Sequence, residues 1–116
     1  MKKIFIWLDD ERKVPNQWLK RIEEGNLELA IFRKAEDLIQ WYEENQGRYD
    51  RIFISFDHDL GTEMTGYSVA ARIAEFHWQL DGYSIHSMNP VGRKHIFQLL
   101  DRFGYYNMKY TLDILN

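Results

Sequence analysis

The chain has 116 residues, 45% of them hydrophobic and 16% aromatic, which suits one domain with a substantial core and argues against disorder. A formal net charge of -3 gives no electrostatic basis for bulk nucleic-acid binding. The absence of cysteine excludes disulfides, thiolate nucleophiles and cysteine-ligated metals together.

The opening Met1-Lys2-Lys3 resembles the start of a signal peptide, but the apolar run that follows ends at Leu8 and gives way to Asp9-Asp10-Glu11-Arg12. No run approaches the ~20 residues of a membrane span. A cytoplasmic protein without membrane contact is expected. No repeat, linker or low-complexity tract divides the chain, so residues 1–116 read as a single domain.

Ile4 to Leu8 is continuously apolar rather than alternating, as in a strand buried on both faces of a parallel sheet. Pro15 fits a first helical turn, Trp18, Leu19 and Ile22 supply an apolar stripe, and Gly25 is a stop. Leu27 to Phe32 reads as a second strand ending at Arg33. A helix from about Ala35 to Gln46 follows, with Ala35, Leu38, Ile39 and Tyr42 on one face.

Arg51 to Phe56 is a third strand, and Gly66 to Leu80 a third helix packing through Val69, Ala70, Ile73, Ala74 and Phe76. The turn signal Asp81-Gly82 precedes a short strand from Tyr83 to His86 or Ser87. Asn89-Pro90 is a well-formed helix start, and Ile96, Leu99, Leu100 and Phe103 form that helix's stripe up to Gly104. Met108 to Leu115 is expected to be a fifth strand, with no chain left for a fifth helix.

This alternation implies an α/β three-layer sandwich around a five-stranded parallel sheet, with the flavodoxin-like order 2-1-3-4-5 expected. The switch point of such a sheet lies between the first and third strands, at their carboxyl ends. Asp9, Asp10 and Asp57 fall there. Three gathered carboxylates repel one another unless a cation or protons offset the charge, and hard ions such as Mg2+ (or Mn2+) take oxygen ligands. Taken singly, each aspartate would simply begin a solvated loop; the pair after one strand and a third after its neighbour favour a shared metal site.

His58 and His86 also follow strands. Facing one gap they would serve as general base and general acid, or bind a transition metal beside the carboxylates. His77 and His95, within helices, read as structural. Asp59 either orients His58 or caps its loop. Ser87, Asn89 and Arg93 surround a helix start, where free amides, a hydroxyl and a guanidinium suit a phosphate. Arg33 and Arg12 are rim candidates for the same anion. No Walker loop, dinucleotide fingerprint, HExxH or GxSxG occurs.

Leu8-Asp-Asp-Glu-Arg12, Ser55-Phe-Asp-His-Asp-Leu-Gly61, Thr65-Gly66-Tyr67 and His86-Ser-Met-Asn-Pro-Val-Gly-Arg93 resemble the cyclic-phosphate-processing receiver-like domain family. The resemblance runs from the first strand to the fourth helix. It implies a receiver-like fold whose phosphorylation pocket is rebuilt with histidines, acting on cyclic phosphates of nucleotides or related small molecules. Ordinary receivers also need a lysine ending strand five, usually before a proline; Lys109 comes too early and no proline follows.

The expected function is therefore a metal-assisted phosphoesterase: Asp9, Asp10 and Asp57 hold the ion, His58 and His86 move protons, and Ser87, Asn89, Arg93 and Arg33 hold the phosphate. Two alternatives differ in class. One is a binding module that sequesters a nucleotide-type ligand without turnover. The other is a degenerate receiver acting through a protein partner.

Overall fold

A computed structural model of the chain describes residues 1–109. It contains β1 (Lys3–Leu8), α1 (Asn16–Glu24), β2 (Glu28–Phe32), α2 (Ala35–Glu44), β3 (Arg51–Phe56), α3 (Gly66–Phe76), β4 (Gly82–Ile85) and α4 (Pro90–Arg102). The four strands are parallel in the order β2-β1-β3-β4. No helix among the described residues is long and apolar enough to cross a membrane.

The continuous apolar run of β1 has the expected cause. Ile4, Ile6 and Leu8 join Ile52, Ile54 and Phe56 in one core, closed by Leu38 and Ile39 of α2, Val69 and Ile73 of α3 and Ile96 and Leu100 of α4. The residues of opposite parity, Phe5, Trp7 and Phe53, face a second core with Val14, Trp18, Ile22, Leu27 and Met108. Helices α2, α3 and α4 thus cover one face of the sheet and α1 lies on the other, so side chains of both parities are buried.

The five-stranded sheet is not borne out. Among the described residues only Asn107 bridges Tyr83 in parallel next to β4, and Lys109 turns into the left-handed region with φ 56°, which ends extended geometry at the point where a strand was expected to begin. The rest of the expected fifth strand, residues 110–115, lies outside the described residues.

Helix ends differ in smaller ways. Pro15 occupies the cap position before α1 rather than its first turn, and its carbonyl accepts from Trp18 and Leu19. α3 stops four residues before Leu80 was reached, because His77 adopts a left-handed conformation with φ 53°. Phe76 and Phe103, expected in the core, are 54% and 46% exposed; each lies at or beyond a helix end, where the apolar stripe has already turned away. Asn89 caps α4 as expected, its Oδ1 accepting from the amides of Val91 and Gly92.

What this fold does for a site follows from register. Trp7 lies opposite Ser55, and Ser55 opposite Ser84. The same parity continues past the strand ends to Asp9, Asp57 and His86. Three further backbone hydrogen bonds carry the ladder that far: the amide of Asp9 donates to Phe32, that of Asp57 to Leu8 and that of His86 to Phe56. Three neighbouring strands therefore deliver two carboxylates and an imidazole in one row.

Candidate functional site

Asp9, Asp57 and His86 each present one donor atom, and these atoms all lie within 4.8 Å of one another. All three residues are buried or nearly so, with Asp9 0% and Asp57 4% exposed. Of the expected acidic trio, Asp10 does not join. It is exposed, with its Oδ2 beside Gly61, 3.5 Å from where a β-carbon would sit. Its parity explains this, since a residue one step beyond Asp9 points the other way from a strand end. His86 takes the place that Asp10 was expected to hold.

Asp9 is the most heavily engaged group. Its Oδ1 accepts from the amides of Glu11 and Arg12 at 2.9 and 2.7 Å. Its Oδ2 meets Nε2 of His86 at 2.9 Å and Nε of Arg12 at 3.1 Å. Those four contacts fill the acceptor capacity of one carboxylate. Burial on its own would push this carboxyl up, but the amides of Arg12 and Glu11 and the contact with His86 outweigh it and hold Asp9 below the ordinary value. Asp57 goes the other way. Burial and the nearby Asp9 charge raise it, against the opposing pull of Arg12, the His58 amide and the Ser87 hydroxyl.

His86 is locked on every side. Its ring stacks on Trp7 with centroids 3.8 Å apart and planes 6° from parallel. Nδ1 lies 2.8 Å from Oγ of Ser55, which itself accepts from Oγ of Ser84 at 2.9 Å. Burial lowers the imidazole to about 4, although Asp9 pulls it upward. A neutral ring beside an ionised Asp9 has its proton on Nε2, donating to the carboxylate, and accepts at Nδ1 from Ser55. With both nitrogens engaged, His86 has no unpaired ring nitrogen.

His58 is positioned separately. Its carbonyl accepts from the amide of Gly66, which starts α3, and a β-carbon at Gly66 would lie 1.9 Å from the carbonyl oxygen of Asp57. Its ring lies against Gly92 in the first turn of α4, where a β-carbon would sit 2.3 Å from two ring carbons. The two glycines therefore allow α3 and α4 to close on the Asp57-His58 segment. Nδ1 of His58 is buried and has no hydrogen-bond partner among the described residues. His58 and His86 leave adjacent strands but do not form an equivalent pair.

The expected phosphate group divides. Ser87 is buried, bonds to Asp57 and accepts from the amide of Asn89. Asn89 commits its Oδ1 to the helix cap and directs its Nδ2 at the Asp59 carboxylate, 3.3 and 3.4 Å away. The amide of Arg93 donates to the carbonyl of Asn89, so the first amides of α4 are occupied within the cap. Asp59 thus ties its loop to α4 through Asn89.

Arg93 is exposed and lines a groove of about 330 Å³ with Ile85, Pro90, Lys94, Phe97 and Lys109. No hydrogen bond or ion pair joins it to the acidic centre among the described residues. Nη1 of Arg33 donates to the carbonyls of Asp9 and Arg12, both at 2.9 Å, which braces the loop after β1.

Three participants were not foreseen, Trp7, Ser55 and Ser84 behind His86, while Arg12, expected at the rim for an anion, instead contacts both buried aspartates. The signal for the first three was present as period-two spacing, two residues before Asp9, Asp57 and His86 in turn.

The family model of the cyclic-phosphate processing receiver domain matches residues 4–102, and the chain belongs to that family. No curated protein and no solved structure matches it.

Two outcomes follow from this geometry. A Gly→Ala change inside a helix ordinarily stabilises by about 0.5–1 kcal/mol; Gly92→Ala is expected to destabilise the fold in urea titration and to move the His58 ring resonances, because the new methyl and the imidazole overlap. A gain in stability with unmoved resonances would contradict the packing.

The second outcome concerns pH. Because burial holds His86 at about 4 against an ordinary 6.5, the unfolded chain binds a proton in that window that the folded chain does not. Stability attributable to His86 is therefore complete above pH 6.5 and lost as pH falls toward 4. Asp57, raised by burial, takes up a proton in the folded state and opposes part of the loss. Thermal melts are expected to fall across this window in the parent and less steeply in His86→Gln; parallel slopes would contradict a buried neutral His86.

Proposed function

We propose that this receiver-family domain is a metal-assisted phosphoesterase that opens a cyclic phosphate of a nucleotide or nucleotide-derived small molecule. The observation that carries this reading is the convergence of Asp9, Asp57 and His86, with donor atoms within 4.8 Å, at the carboxyl edge of a parallel sheet. That edge is where open α/β sheets bind ligands.

The donor set fits a divalent ion: two carboxylates with a neutral imidazole suit Mg2+ or Mn2+, the nitrogen favouring Mn2+. When bound, such an ion supplies Lewis acidity at the phosphoryl group. The chain's own residues do the rest. Asp9 and Asp57 would hold the ion, and His86, fixed by Trp7 and Ser55, orients Asp9. Ser87 gives its one hydroxyl proton to Asp57, and would reach a phosphate oxygen only by giving up that bond.

His58, directly after Asp57, is the group assigned to proton transfer; its Nδ1 is buried against α4, which leaves Nε2 to carry the proton. It takes a proton from the attacking water as the water oxygen bonds to phosphorus. The same proton passes to the ester oxygen released when the ring P–O bond breaks, which leaves a phosphomonoester and a free hydroxyl. Arg93 and Arg33 stay outside this core, Arg33 as a brace for the loop after β1 and Arg93 as a contact for a more distant part of the ligand.

A second reading, sequestration of such a ligand without turnover, is favoured by the number of contacts that Asp9 and His86 make within the protein. Such closed networks suit rigid binding.

Purified protein with Mg2+ or Mn2+ is expected to hydrolyse at least one member of a panel of 2',3'-, 3',5'- and ADP-ribose cyclic phosphates. Asp57→Asn is expected to abolish turnover, and His58→Ala to slow it by about 10²–10⁴-fold. Recovery of every ligand intact, with tight stoichiometric binding, would replace the enzyme by the sequestering module.

A further inference from the structure

Among the described residues Arg12 is the one cation in contact with both buried carboxylates. Its Nε lies 3.1 Å from Oδ2 of Asp9, and its Nη2 lies 3.7 Å from Oδ1 of Asp57. Nη1 reaches the carbonyl of His86 at 3.5 Å. The guanidinium therefore spans the ends of β1, β3 and β4, against the donor atoms that would hold a divalent ion. We propose that Arg12 is the resident counter-cation of this site and that a divalent metal must displace it in order to bind. This rests on the metal reading above.

Saturation of Asp9 makes the two occupants mutually exclusive. Its Oδ1 is held by two backbone amides of its own loop, and its Oδ2 by His86 and Arg12. A metal bond to Asp9 needs one of those four partners to leave. The amides belong to the loop backbone. His86 is stacked on Trp7 and hooked to Ser55, with its side chain 16% exposed. Arg12 is the releasable partner: its side chain is 43% exposed, long, and anchored through its head group alone.

Charge makes the same case. Two ionised aspartates and one guanidinium leave the trio at -1, and a divalent ion added beside the retained Arg12 would bring it to +1 with two cations in contact. Without Arg12 the ion and the carboxylates balance. The backbone of Arg12 serves independently of its side chain, since its amide donates to Asp9 and its carbonyl accepts from Trp7 and Arg33. Removing the guanidinium therefore leaves the loop's own hydrogen bonds in place.

The test is Mn2+ binding to the metal-free full chain, followed by the electron paramagnetic resonance of free Mn2+ with no phosphate ligand present. Partly exposed ion pairs are modest in strength, so R12Q is expected to bind Mn2+ about five- to tenfold more tightly than the parent. R12K, which keeps the charge, is expected to stay closer to the parent. If the parent binds Mn2+ and R12Q binds it no more tightly, the competition is refuted while the metal reading stands. If neither binds, the metal reading fails and this one fails with it. Should R12Q not hold its fold without metal, recovery of the native circular-dichroism spectrum on adding Mn2+ supports the displacement, and failure to recover overturns it.

Discussion

The parallel register that sets Leu8 opposite Phe56, and Phe56 opposite Ile85, is the constraint on which the site depends. Parallel pairing fixes which residues end three adjacent strands together. The two-residue period of each strand then decides which of the following side chains share a face. Asp9, Asp57 and His86 satisfy both conditions, and Asp10 fails the second. A slip of one residue in either of the two pairings that join these strands would send a member of the trio to the opposite face.

Burial gives the row its chemistry. Two carboxylates so close together, at 0% and 4% exposure, would repel strongly if nothing answered their charge. The protein answers unevenly. Asp9 receives two amides, a neutral imidazole and a guanidinium, which keep it ionised. Asp57 has fewer donors, feels the charge of Asp9 and rises. Trp7 and the two serines below hold His86 flat and neutral, so the imidazole can support Asp9 without adding a positive charge. Arg12 carries that charge instead, on a side chain that can leave.

Much of the fold was legible because its signals are local. The apolar run Ile4 to Leu8, the stripe of Ala35, Leu38, Ile39 and Tyr42, and the Asn89-Pro90 start each announce an element within a few residues. The strand ends were legible, which is why Asp9, Asp57, His58 and His86 were singled out as candidates. Exchanging Asp10 for His86 required knowing which strands pair and in what parity, and no local signal carries that. The cap was similarly deceptive: Asn89 and the helix amides look like an anion site in sequence, and in the fold they satisfy one another. The fifth strand was inferred from alternation and apolar content. In the fold, Asn107 makes an isolated bridge and Lys109 turns left-handed, a conformation that a short apolar pattern does not predict.

The claim that the three strand ends form one divalent-ion site is tested most directly by a crystal of the protein soaked in Mn2+, with anomalous diffraction recorded at the manganese edge. One peak is expected, bonded to Asp9 and Asp57 with the His86 imidazole still against Asp9, and with the Arg12 guanidinium moved off the carboxylates. No peak at that position, or a peak at Asp10 with Arg12 still bridging Asp9 and Asp57, would contradict it.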